Sequence, residues 1–138
     1  RGRYQRISFD IEEIPQTVFQ ESRIRREELK YYETTLWLAL KKESDKWYEV
    51  ASIHREFPTD KKLVVRCKYA GPWSTWDEKS KKWNEKGGRV SMGIDRYFIP
   101  AGQYDLPRGT NHVIFGEVSV GDSGNAQLEK LLIDGKPY

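Results

Sequence analysis

This chain has almost no cysteine. Cys67 is the only one in 138 residues, so an intrachain disulfide is excluded. Histidine is nearly as scarce, and two separated His with one Cys provide no metal-ligand spacing. No apolar run approaches the roughly 18 residues that a membrane-crossing helix needs. An excess of one charge is missing as well. Acids and bases are interleaved and sum to +3, which does not demand a polyanionic partner even at a pI of about 8.9. There is no phosphate-cradling glycine pattern, no G-x-S-x-G, no basic helix with base-reading spacing and no internal repeat. The chain opens at Arg1 with neither Met nor signal peptide. We expect it to be an excised piece of a longer protein, so absent targeting says nothing about the parent.

What is present argues for a folded β domain spanning residues 1–138. Hydrophobic residues make up 37% and charged residues 33%, and the 13% aromatic content supplies large apolar area. Cys67 lies in an alternating run that places it on one face with Leu63, Val65 and Tyr69, as a small buried hydrophobe. A reactive thiol would need a depressed pKa, and no His neighbours it in sequence.

Along the chain, Ile7, Phe9 and Ile11 alternate with Arg6, Ser8 and Asp10, which predicts a half-buried strand over residues 4–14 ended by Pro15. Thr17, Val18 and Phe19 extend it after a kink. Residues 21–30 carry only Ile24 and Leu29 as an apolar stripe and read as a short helix or a charged loop. Arg23, Arg25 and Arg26 there could touch an anionic surface, but a solvated face offset by Glu21, Glu27 and Glu28 is the favoured reading. Leu36, Leu38 and Leu40, a polar turn at residues 42–46 and the run from Trp47 to His54 predict a hairpin. His54 reads as an exposed strand-end residue, since no motif places a nucleophile with it. A turn at 58–62 and a strand at 63–70 follow.

Residues 71–88 look like a long polar loop bounded by Gly-Pro and Gly-Gly. Its Trp73, Trp76 and Trp83 can stack on sugar rings, or on bases with Lys79, Lys81 and Lys82 following a backbone. Alternatively the rings fold back and cap an open end of the sheet. Residues 87–102 read as a long central strand closed by Pro-x-Gly, with Val90, Met92, Ile94 and Phe98 toward the core. That phase would send Arg96 inward, so a bulge near Gly93 or a salt bridge is expected. A turn-rich connection at 104–111, a structural His112, a second hairpin at 113–120 and 126–133, and a turn at 134–138 complete the chain.

Two separated pieces carry a family resemblance. Gly2-Arg3-Tyr4-Gln5-Arg6-Ile7-Ser8-Phe9 resembles the GDYxxLxY signature of an uncharacterised bacterial family described as membrane-anchored, with Arg3, Ile7 and Phe9 in place of Asp, Leu and Tyr. Gly93-Ile94-Asp95-Arg96-Tyr97-Phe98-Ile99-Pro100 is similar to its G-I-E-R-Y-F-V-P segment, with Asp95 for Glu. The ending from Lys130 to Pro137 and the central hairpin also fit the family. The resemblance implies an extracytoplasmic domain, in the periplasm or at the cell surface, whose membrane anchor precedes Arg1. It implies no activity.

The fold expected is all-β, with about seven mostly antiparallel strands in a barrel or two-sheet sandwich and at most one short helix, at residues 21–30. The leading functional expectation is a non-enzymatic, membrane-tethered domain that binds or scaffolds an envelope protein or glycan, without cofactor or metal. Its candidate ligand-binding residues are Trp73, Trp76, Trp83, Asp95, Arg96 and Tyr97, and no residue is assigned as catalytic. One alternative is a hydrolase-type enzyme using Asp95 with Arg96 or Tyr97. Adjacent strand residues point to opposite faces, however, and would not converge on one substrate. The other is a glycan- or nucleic-acid-binding module on the Trp73–Trp83 stretch, with nucleic acid disfavoured by the near-balanced charge.

Overall fold

The computed structural model describes residues 2–45, 47–99, 101–102, 106 and 113–137. In chain order the strands are β1 (Arg3–Arg6), β2 (Glu13–Pro15), β3 (Thr35–Lys42), β4 (Tyr48–His54) and β5 (Val64–Asp77), then β6 (Lys82–Ser91), β7 (Arg96–Ile99), β8 (Ile114–Val120), β9 (Ala126–Ile133) and the two-residue β10 (Lys136–Pro137). One helix, α1 (Gln16–Glu21), lies between β2 and β3. The main sheet runs β2-β6-β5-β3-β4, a second runs β10-β9-β8, and β1 pairs with β7 in a ribbon. All these pairings are antiparallel. Among the described residues no sheet closes into a barrel. The domain is all-β and layered.

The core lies on the inner face of the main sheet. Leu36 and Leu38 of β3 are fully buried, register against Cys67 and Val65 of β5, and meet Ile14, Phe19, Ile53 and Tyr69. Each such side chain contributes about 1.5–3 kcal/mol of burial. Phe19 and Tyr69 meet edge to face at 6.4 Å. The β8–β9 hairpin is tied to this layer by the Arg66 N–H, which donates to the Gly124 carbonyl at 2.7 Å, and by Val120 and Ala126 packing on the core.

Several sequence expectations change here. The strand over 4–14 is two strands, because the Glu12 carboxylate accepts N–H groups of both Phe9 and Met92 and coils residues 10–12 into a 3-10 turn. Thr17–Phe19 belong to α1 instead of a strand, since Pro15 (φ −60°, ψ 147°) sets up a helix start that turns Phe19 into the core. The helix therefore precedes residues 21–30, where only Arg26–Glu28 form a 3-10 turn. Arg25 does sit on a solvated face, paired with Glu27 and Glu28. Arg26 instead packs over Phe19 and pairs with Glu85.

Residues 71–88 are no loop: β5 and β6 continue as a paired hairpin arm as far as Asp77 and Lys82. The strand expected over 87–102 breaks at Gly93, whose φ of +81° suits glycine. Its first part lies in the main sheet and its second in the β1–β7 ribbon, so β7 is not central. The expected phase change is real. Val90 and Met92 are buried, yet past Gly93 it is Ile99 that is buried, and Phe98 and Arg96 face solvent. The strand count exceeds seven because these runs are broken. The connection at 104–111, apart from buried Leu106, and His112 lie outside the described residues.

Cys67 is 3% exposed and its thiol donates to the Leu36 carbonyl at 3.3 Å. Burial, reinforced by the nearby Glu12 charge, pushes that thiol far above its usual range. An aromatic disulfide reagent at pH 8 should therefore leave the native chain unlabelled and titrate one thiol after denaturation. Rapid native labelling would contradict the packing.

Candidate binding sites

The β5–β6 arm is built from its turn outward. The Asp77 carboxylate accepts the Lys79 N–H at 2.9 Å and the Ser80 N–H at 3.5 Å, and Lys81 takes φ +54° to close the reversal. The Ser80 hydroxyl, then the Lys79 amide, hold Asp77 below the usual carboxylate range. Directly behind this turn Trp76 and Trp83 occupy opposed positions, with ring centroids 5.5 Å apart and planes at 65°. They are 45% and 67% exposed. Such a cross-strand pair stabilises the arm yet leaves nearly half of Trp76 and most of Trp83 for a ligand. Ser74 and Glu85 share that face two pairs further back. Trp73 stands apart, half-buried opposite Gly87 at the arm's base.

A concave feature elsewhere is a groove of about 1520 Å³ framed by β4 on one side and β8 on the other. Phe9, Ile11, Val50, Val65, Met92 and Leu131 contribute apolar lining, with Trp47 and Tyr48 exposed at its mouth. Arg6 and Lys41 are its bases, whereas Asp10, Glu13, Glu21, Glu49 and Glu117 are its acids. Glu13 is met by Arg89 and Glu117 by Lys130, at 3.3 and 3.4 Å. A hydrogen bond with the Glu43 carboxyl holds Glu49 above the usual carboxylate range. The rim is acidic.

Asp95 and Arg96 differ in their surroundings. Asp95 is half-buried and its carbonyl accepts the Ile7 N–H at 2.8 Å. Arg96 is exposed, corrected from its inward expectation, and stands opposite Arg6, while Tyr97 takes the position opposite Gln5. Sequence reasoning passed over Glu12, and it read His54 as exposed and without Ser52. Glu12 is 7% exposed with both oxygens occupied by backbone amides, and burial nevertheless raises its pKa. The pattern Phe9-x-x-Glu12 lacks the Ser or Thr that makes a capping box legible. His54, half-buried, lies 2.7 Å from the Ser52 hydroxyl through Nε2. The i, i+2 spacing on a strand was the available signal. Among the described residues no carboxylate orients this imidazole, so the pair lacks the third member of a hydrolytic triad.

Among the described residues no three of His, Cys, Asp and Glu gather as metal ligands, and no helix is long and apolar enough to cross a membrane. The model of one protein family, described as GDYXXLXY protein, matches residues 1–131. No curated protein and no solved structure matches the chain.

Proposed function

We propose, from the premise that this chain belongs to the GDYXXLXY family, that it is the extracytoplasmic binding domain of a membrane-tethered envelope protein and that its β5–β6 arm contacts glycan. The observation that carries the glycan contact is the exposed Trp76–Trp83 pair at the end of that arm. Indole faces bury the C–H face of a sugar ring at little conformational cost, since each ring is already held by its neighbour. Ser74 on the same face can meet hydroxyls, as can the Glu85 oxygen that Arg26 does not hold. Binding is favoured over catalysis because, among the described residues, the Ser52–His54 pair has no orienting acid. The tether rests on the family likeness in residues 2–9 and 93–100.

Titration of intrinsic tryptophan fluorescence with soluble β-1,4-linked N-acetylglucosamine oligomers tests the arm. Trp76→Ala/Trp83→Ala should weaken binding about tenfold or more while costing only about 1 kcal/mol of stability. Trp73→Ala should reverse that balance. Wild-type protein that ignores the oligomers, or a double variant that binds them equally, ends the glycan reading. For the tether, full-length protein should require detergent for extraction, and protease added to spheroplasts should digest this domain. Protection in intact spheroplasts would place it on the other side of the membrane.

A further inference from the structure

The groove between β4 and β8 has a property its apolar lining does not explain. A sheet face would present alternate residues to a cavity, because successive side chains point to opposite sides. Here the lining residues are consecutive: Tyr48, Glu49, Val50 and Ala51 on one side, and the five residues from Ile114 to Val118 on the other. Such runs mean that the groove looks onto strand edges. Both strands are terminal in their sheets, β4 after β3 and β8 after β9. The far half of β4 is already covered, where the Ile53 N–H donates to the Ser22 hydroxyl at 2.9 Å beside α1. The half that lines the groove has no such cover among the described residues. Unpaired strand edges are templates for another strand.

We propose that this groove receives an extended segment of a partner protein, apolar at alternate positions and basic between them, which adds as a strand along β8 with β4 facing it. Main-chain hydrogen bonds to the edge would give affinity, and the apolar residues would enter the lining around Phe9, Val50 and Leu131. The charge of the rim selects the polar positions. Asp10 and Glu21 have no cation among the ion pairs of the described residues, and Glu43 and Glu49 lie together beside Trp47 and Tyr48 with Lys41, 3.4 Å from Glu43, as the cation between them. Basic side chains arriving there would relieve like-charge repulsion and lie over exposed aromatic rings. A second copy of this chain fits poorly, since self-pairing brings one acidic rim against another. A lipid fits poorly too, because an acyl chain cannot satisfy strand-edge amides.

The probe is a capped peptide of about eight residues alternating valine and lysine, the length of an ordinary strand, measured by calorimetry at low salt. It should bind, and a valine–glutamate counterpart should not. Alternate backbone N-methylation of the same peptide should abolish binding, because it removes the donors that strand addition uses. Asp10→Asn/Glu21→Gln/Glu49→Gln should weaken binding about tenfold with an unchanged melting temperature, and Trp76→Ala/Trp83→Ala should leave it intact. That last arm separates this proposal from the glycan reading. Equal binding of the acidic peptide, retained binding of the N-methylated one, or binding to anionic phosphatidylglycerol vesicles in place of the peptide would each overturn the proposal.

Discussion

Replacing Gly87 with valine should destabilise the domain more than any other single change at a strand position. A Cβ there would lie 1.9 Å from the Ile14 carbonyl oxygen and 2.8 Å from the Gln16 amide nitrogen. Both are backbone atoms, so no side-chain rotation relieves the clash. The Ile14–Gly88 and Pro15–Gly87 pairs that join β2 to β6 would have to open, and the entry into α1 with them. Phe19, which α1 holds in the core, would lose its place against Gly88, where an added Cβ would itself meet that ring at 2.7 Å. Overpacking of this kind costs about 3 kcal/mol or more, which for a chain of this length is roughly a 10 °C fall in melting temperature. The control is Gly121→Ala, where the nearest atom to the new Cβ is 3.9 Å away and the change should stay within about 0.5 kcal/mol. Circular dichroism melts compare the two. A Gly87→Val protein melting within about 2 °C of wild type would mean that β2 does not lie against β6 as described.

Truncating Glu12 to alanine is the second large effect. Its two oxygens accept the Phe9 N–H at 2.9 Å and the Met92 N–H at 3.0 Å, fastening the N-terminal turn to the end of β6. Glu12→Ala strands both donors in a buried place and should cost about 3 kcal/mol. Glu12→Gln keeps one acceptor and should cost less. The pH dependence separates charge from hydrogen bonding. Burial raises the Glu12 pKa in the folded chain above its ordinary value of 4.5, with the two amides acting in the opposite direction. The folded state therefore binds the proton more tightly than the unfolded one. The stabilisation from protonated Glu12 is complete below about pH 4.5 and is lost as pH rises through the folded-state pKa. Urea unfolding between pH 4 and 7 should show wild type losing stability relative to Glu12→Gln as pH rises. A pH-independent difference would show that Glu12 is charged throughout and held by its amides alone.

Legibility in the sequence followed the range of the interactions. The β3–β4 and β8–β9 hairpins were readable because alternation and turn residues lie within a few positions of each other. Cys67 was readable for the same reason, its neighbours Val65 and Tyr69 being buried with it. The N-terminal segment was misread where a long-range contact prevailed. Glu12 reaches Met92, eighty residues on, and converts an alternating run into strand, turn and strand. The arm was misread for the opposite reason, since its polar composition is that of a strand pair with solvent on both faces, which has no hydrophobic period to detect. Of the candidate site residues, Trp76 and Trp83 are joined by register alone. Asp95 and Arg96, adjacent in sequence, differ in burial, Asp95 half-buried and Arg96 exposed.

By itself, then, the sequence determined the class of fold, the family and the absence of disulfide and metal-ligand spacing, because composition, alternation and short patterns are local properties of the chain. Only the tertiary structure decided that the apparent central strand splits at Gly93 between two sheets, that Trp76 pairs with Trp83, and that β4 and β8, each last in its sheet among the described residues, flank one groove. Those features depend on which strands become neighbours. Neighbours are chosen by packing between residues far apart in the chain, and no local pattern encodes that choice.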